Sequence, residues 1–150
     1  MLYSGRCEYA VRALTYLAQK PANGFTLLAE ITEAEDLPRA FTGKILQDLV
    51  RAGLLRSARG PTGGYALALP SADVSLLQIV ESIDGTADLD RCAVGLNPCS
   101  DDMPCPLHDT WKPLRTEIKQ YLEETTLLDL AAGVSRKRKL IERANATNSV

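Results

Sequence analysis

Leu54-Leu55-Arg56-Ser57-Ala58-Arg59-Gly60-Pro61-Thr62-Gly63-Gly64-Tyr65-Ala66-Leu67-Ala68-Leu69 holds two short extended runs either side of a glycine- and proline-rich tip. Such a pattern predicts a two-stranded hairpin. What stands before it decides the fold. Phe41, Ile45, Leu46, Leu49 and Val50 recur on one stripe of a helix that starts after Pro38 and ends at Gly53. A second helix is predicted from Thr26, whose hydroxyl can cap it, to Ala34, and Asp36-Leu37-Pro38 then forces a turn. A first runs from Cys7 to Gln19, capped by Ser4 or Gly5 and stopped by Pro21 and Gly24. Two helices joined by a tight turn, followed by a hairpin, give a winged helix-turn-helix. The expected fold is mainly α, in the α+β class: a winged helix-turn-helix domain over 1–85 plus a long dimerisation helix.

The charge pattern tells the same story. The chain of 150 residues carries a net charge of only -2, yet Arg39, Lys44, Arg51, Arg56 and Arg59 face a single acid, Asp48, between Pro38 and Gly60. Clustered cations on a helix and a hairpin tip are the electrostatic footprint of a double-stranded DNA binder.

Beyond Gly85 the pattern changes. Residues 86–106 show little periodicity, contain three prolines and lie in an acidic run of six aspartates against Arg91. The same segment holds Cys92, Cys99 and Cys105, with His108, the only histidine, three residues further on. Packing alone does not explain that clustering, so we read it as a ligand set. No signal peptide or membrane-spanning run is apparent, so we expect a cytoplasmic protein without a membrane partner. There thiols stay reduced, and four cysteines point to metal binding or redox sensing rather than to a disulfide scaffold.

Leu107, Trp111, Leu114, Ile118, Tyr121 and Thr125 form a heptad seam, widened by Leu122, and predict a helix that crosses to a second copy. Pro113 predicts a kink, or a helix start near Thr110. Leu127, Leu128, Leu130 and Ala131 make a short apolar patch ended by Gly133, so 107–132 is read as helix and patch. Residues 133–150, with Arg136-Lys137-Arg138-Lys139, read as a solvated basic and polar tail.

The chain resembles the Rrf2-type family of bacterial transcriptional regulators from about Leu2 to Ala132, in particular its iron-sulfur and nitric-oxide-responsive members. The resemblance is carried by Glu8-Tyr9-Ala10-Val11-Arg12-Ala13-Leu14, by Leu46 and Leu49 with Ala52-Gly53-Leu54-Leu55, by Ser57 to Tyr65, and by the cysteine loop. It implies a homodimer on a pseudo-palindromic operator, with the third helix in a major groove and the wing reaching a minor groove, where Arg59 would insert. Arg39, Thr42, Lys44, Arg56, Ser57, Arg59, Gly60 and Gly63 are the expected DNA-binding residues; Phe41 fits either the interface or the core. The resemblance further implies an iron-sulfur cluster on Cys92, Cys99 and Cys105, [2Fe-2S] favoured over [4Fe-4S]. His108 is the favoured fourth ligand and Glu8 from the partner subunit its rival, while Cys7 reads as a buried apolar residue. The gap between Cys92 and Cys99 is one residue longer than is usual in the family.

The expected function is a dimeric regulator sensing iron-sulfur status, redox state or nitric oxide. A metal-free thiol switch is the alternative within DNA binding. A zinc-stapled module or an electron carrier is the alternative of another class, although structural zinc prefers closer cysteine spacings. No nucleophile, base and oxyanion set is visible, so an enzyme is not expected.

Overall fold

The computed structural model describes residues 2–96 and 99–147. Helix α1, Gly5–Ala18, starts where the Ser4 side chain accepts a hydrogen bond from the Cys7 amide at 3.2 Å, with Glu8 in its first turn to complement the helix dipole. Cys7, Ala10, Ala13, Leu14 and Leu17 repeat at three- and four-residue spacings and are all buried. Cys7 therefore sits in the core, and its thiol is pushed up to about 12 by burial and by the charges of Asp84 and Glu8.

Helix α2 spans Leu28–Ala34 and α3 spans Arg39–Arg51. The expected start of α2 at Thr26 is corrected, because Thr26 has joined the sheet. Its amide donates to the Tyr65 carbonyl at 2.9 Å, and the Tyr65 amide returns a bond at 2.8 Å. Gly64, at φ +118°, permits that approach, since a β-carbon there would run into the Thr26 backbone. Strand β1, Leu55–Ala58, pairs antiparallel with β2, Gly64–Leu67, in the register Leu55 to Leu67 and Ala58 to Gly64. The wing is thus a two-stranded hairpin whose second strand is pinned at Tyr65 by a third extended residue.

Helix α4, Leu76–Asp84, opens with a capping box of Ser75 and Gln78 and stops at Gly85. Helix α5, His108–Glu124, begins two residues before Thr110, near the expected start, and carries Pro113 in its second turn. Leu122 on α5 is fully buried and Ile118 packs against the core, whereas Leu107, Leu114 and Tyr121 stand about half exposed. The seam is thus divided between the chain's own core and an open stripe.

Helix α6, Leu127–Thr147, is the largest departure from expectation. The helix runs through Gly133 and takes in Arg136 to Lys139, in place of a patch followed by a tail; residues 148–150 of that tail lie outside the described residues. Thr126 and Asp129 cap its start by reciprocal side-chain bonds to each other's amides. Lysine, arginine and alanine then propagate it, outweighing a single interior glycine worth about 1 kcal/mol. The core gathers where α1, α3 and α4 meet. Leu14, Ile31, Ile45, Leu46, Leu49, Ile79, Leu122 and Leu127 are completely buried, each contributing roughly 1.5–3 kcal/mol relative to exposure.

Candidate nucleic-acid interface and cysteine centre

On α3 the buried residues Thr42, Ile45, Leu46 and Leu49 define the inner face. Ala40, Phe41, Lys44, Gln47 and Arg51 are exposed. The expected role of Thr42 in DNA binding is therefore corrected: the residue is fully buried, and its hydroxyl is the unpartnered buried side-chain polar atom of the described residues. Gly63 is also buried. Its amide donates to the Gly60 carbonyl at 3.0 Å, and a β-carbon there would meet the Ala58 backbone. Gly63 shapes the wing tip and does not present itself to DNA.

The other expected residues stand at the surface. Arg39, Lys44, Ser57, Arg59 and Gly60 are exposed, and among the described residues the Arg39, Lys44 and Arg59 side chains have no partner. Arg56 is committed, its guanidinium lying 5.2 Å from the Phe25 ring and its Nε donating to the Leu67 carbonyl at 3.3 Å. Sequence reasoning passed over the local neutralisation of the acid on this face. Asp48 is paired with Arg6 at 2.7 Å and with Arg51, so Arg6 of α1 brings to this face a cation that a count over Pro38 to Gly60 leaves out. It also missed Gln47, whose amide nitrogen donates to the Tyr65 hydroxyl at 2.8 Å and ties α3 to the wing.

The cysteine loop closes on itself. Cys92 Sγ lies 3.6 Å from Cys105 Sγ, and Cys99 Sγ lies 3.7 Å from Nδ1 of His108. All four cysteines are free thiols. The Cys92 thiol is held below its ordinary range by the Val94 backbone, with further help from Leu96, Cys105 and Cys99. His108 is almost buried, and its Nε2 meets Asp101 Oδ1 at 2.8 Å. Lys112 reaches both oxygens of the same carboxylate at 2.7 and 2.9 Å. Its hydrogen bond, followed by that of His108, lowers the Asp101 pKa. With Nε2 engaged by a carboxylate, the imidazole turns Nδ1 toward the thiols, the orientation a metal-binding histidine requires. Asp101 and Lys112 were not singled out from sequence, because Asp101 is one of many acids in the loop.

Two thiolates about 2.3 Å from one tetrahedral metal stand roughly 3.8 Å apart. The Cys92/Cys105 and Cys99/His108 pairs come close to that separation. Among the described residues, no three donors surround a point suited to a single ion. Glu8, the rival fourth donor, sits on α1 beside Cys7 and Tyr3, and no contact joins it to this centre within one chain among the described residues. Loop and helices are connected by Trp111, whose indole donates to the Arg91 carbonyl at 3.2 Å, and by Lys119 and Arg115, which hold Asp90. Among the described residues, no helix is long and apolar enough to cross a membrane.

Comparison with known proteins bears on both faces. A family model described as Rrf2, iron-dependent transcriptional regulator, matches residues 3–133. A Mycobacterium tuberculosis protein of the HTH-type transcriptional regulator class is 37% identical over 134 residues, covering 89% of this chain and 83% of the relative. The structure of CymR, the global cysteine regulator of B. subtilis, superposes with a TM-score of 0.75 at 29% identity, covering 86% of this chain and 95% of that one. IscR of T. potens superposes with a TM-score of 0.70 at 27% identity, covering 87% and 86%.

Proposed function

The chain belongs to the Rrf2 family of transcriptional regulators, and on that footing we propose that it senses iron-sulfur status, redox state or nitric oxide through a cluster held by Cys92, Cys99, Cys105 and His108. As a member of that family it is a DNA-binding regulator and not an enzyme. The observation that carries the finer reading is the gathering of these donors into two pairs, at 3.6 and 3.7 Å, with the imidazole oriented by Asp101. Likeness to IscR supports it. Donors in two pairs, one of two thiolates and one of thiolate and imidazole, suit a [2Fe-2S] cluster, and histidine in place of a thiolate raises its reduction potential. Such a cluster, when bound, supplies a redox-active centre open to oxidants and nitric oxide.

The chain's own residues supply the rest. Arg39 and Lys44 on α3, with Ser57, Arg59 and Gly60 on the wing, are the DNA contacts of this reading, and Arg59 suits the negative potential of a narrow minor groove. The open stripe of Leu107, Leu114 and Tyr121 supports a homodimer; a two-fold dimer calls for a pseudo-palindromic operator, and the cytoplasm is its compartment in this reading. Glu8 of the partner subunit is the second candidate for the fourth ligand. A regulator needs two states of unequal DNA affinity. The loop bears on Trp111, Arg115 and Lys119 of α5, α5 packs on α4, and α4 packs on α1 and α3, so a change at the cysteines has a packed route to the DNA-binding helix.

A metal-free thiol switch is the second reading, favoured by the approach of Cys92 to Cys105 and by likeness to CymR. Anaerobic purification with a visible spectrum and iron and sulfide assays decides between them. Coloured protein with matched iron and sulfide supports the cluster. Colourless protein that refuses reconstitution, yet changes DNA affinity when its thiols are oxidised, overturns the cluster in favour of the switch.

A further inference from the structure

The first turn of α3 presents a side chain that neither the core nor the phosphate contacts explain. Phe41 is 42% exposed, and its ring is braced by Tyr9 of α1 in a T-shaped contact, with centroids 5.9 Å apart and planes at 85°. Ala40 beside it is exposed as well. The two form an apolar step at the helix start, one turn ahead of Lys44. No acidic residue stands in that turn, and Pro38 offers no side-chain cap to the first amides, so the end of the helix is free to approach a phosphate. The step therefore lies among unpaired cations on the element that the family uses to bind DNA.

An exposed aromatic ring in such a setting needs an apolar partner. The major groove offers one: the 5-methyl group of thymine, which alanine and phenylalanine side chains meet by apolar contact. We propose that Ala40 and Phe41 read a thymine methyl in each operator half-site, and that Tyr9 positions the Phe41 ring for it. Specificity at that base pair rests on shape and apolar burial, while Lys44, Arg39 and Arg59 supply attraction to the backbone.

The experiment replaces thymine by deoxyuridine, which removes the methyl and leaves base pairing intact. High-affinity duplexes are first selected from a random pool with the full-length protein. Each thymine of a half-site is then substituted in turn, and affinities are measured for the wild type, Phe41→Ala, Phe41→Leu and Arg59→Ala. The wild type is expected to lose about fourfold at one position per half-site, the equivalent of ~0.8 kcal/mol for one buried methyl group. Phe41→Ala should bind the two duplexes almost equally. Arg59→Ala should weaken both and keep the fourfold ratio. Where Phe41→Ala binds too weakly to measure, Phe41→Leu decides by an altered ratio. A wild type indifferent to the methyl at every position, or a Phe41 variant that keeps the full penalty, overturns the proposal.

Discussion

Residues 5–84 and residues 86–112 are ordered by different forces. In the first region, burial of Leu14, Ile31, Ile45, Leu46, Leu49 and Ile79 closes a core around α1, α3 and α4. In the second, burial among the described residues is limited to Leu89, Cys92 and His108. The loop is tied down by exposed polar contacts such as Lys119 to Asp90 and Lys112 to Asp101. Solvent screening and the entropy of long side chains leave such exposed pairs little net stabilisation. A domain built by apolar burial folds whatever its surface binds, whereas a loop with so little apolar burial is the part whose order a ligand on its four donors would change most.

The sharpest way to break this contrast is at the donors. Cys105→Ala is expected to bring iron and sulfide to background while thermal unfolding of the winged helix changes by less than about 1 kcal/mol; a collapse of the whole domain would show that the regions share one stability. The converse is Leu46→Ala. Emptying a fully buried leucine site should cost about 2–5 kcal/mol, read by denaturant titration, and the protein that remains folded should keep the iron of the wild type. Loss of iron from folded Leu46→Ala protein would contradict independent regions.

A milder substitution probes the centre's second layer. Asp101→Asn preserves shape and weakens the hold on His108 Nε2, so release of the cluster to a chelator should quicken about 10- to 100-fold. Matched DNA affinities of the reconstituted forms would confine the effect to the centre. An unchanged release rate would leave Asp101 a mere surface partner of Lys112.

The same contrast explains what the sequence made legible. The wing was readable because Gly53, Gly60, Pro61 and Gly64 impose turns that few alternatives satisfy, and the α3 stripe because burial follows the helical period. Clustering exposed the cysteines and His108, since thiols and imidazole are rare enough for proximity in sequence to mean something. Asp101 was hidden for the opposite reason: six aspartates lie in that run, and only three-dimensional placement selects one. Thr42 was misassigned because its position in the first turns of α3 suggested exposure, whereas the period of that helix turns it inward with Ile45 and Leu46. The long course of α6 was missed because Gly133 read as a stop, although the flanking alanine, arginine and lysine residues favour helix more strongly than one glycine disfavours it.

The smallest expected effect lies in the turn between α2 and α3. Asp36 adopts φ +49° and is the non-glycine residue with positive φ among those described. Aspartate tolerates that conformation, whereas a β-branched side chain crowds the following carbonyl at a cost of roughly 1–2 kcal/mol. Asp36→Val should therefore destabilise by about that amount. Asp36→Gly should change stability by only ~0.5 kcal/mol, because relief of the backbone is offset by the greater freedom of the unfolded chain. Both turn variants should retain full iron, since this turn contributes none of the donors. If Asp36→Val instead lost cluster in proportion to stability, order in the cysteine loop would depend on the helix-turn-helix as well as on its own ligands, and the signal would have a route through the turn that precedes the recognition helix.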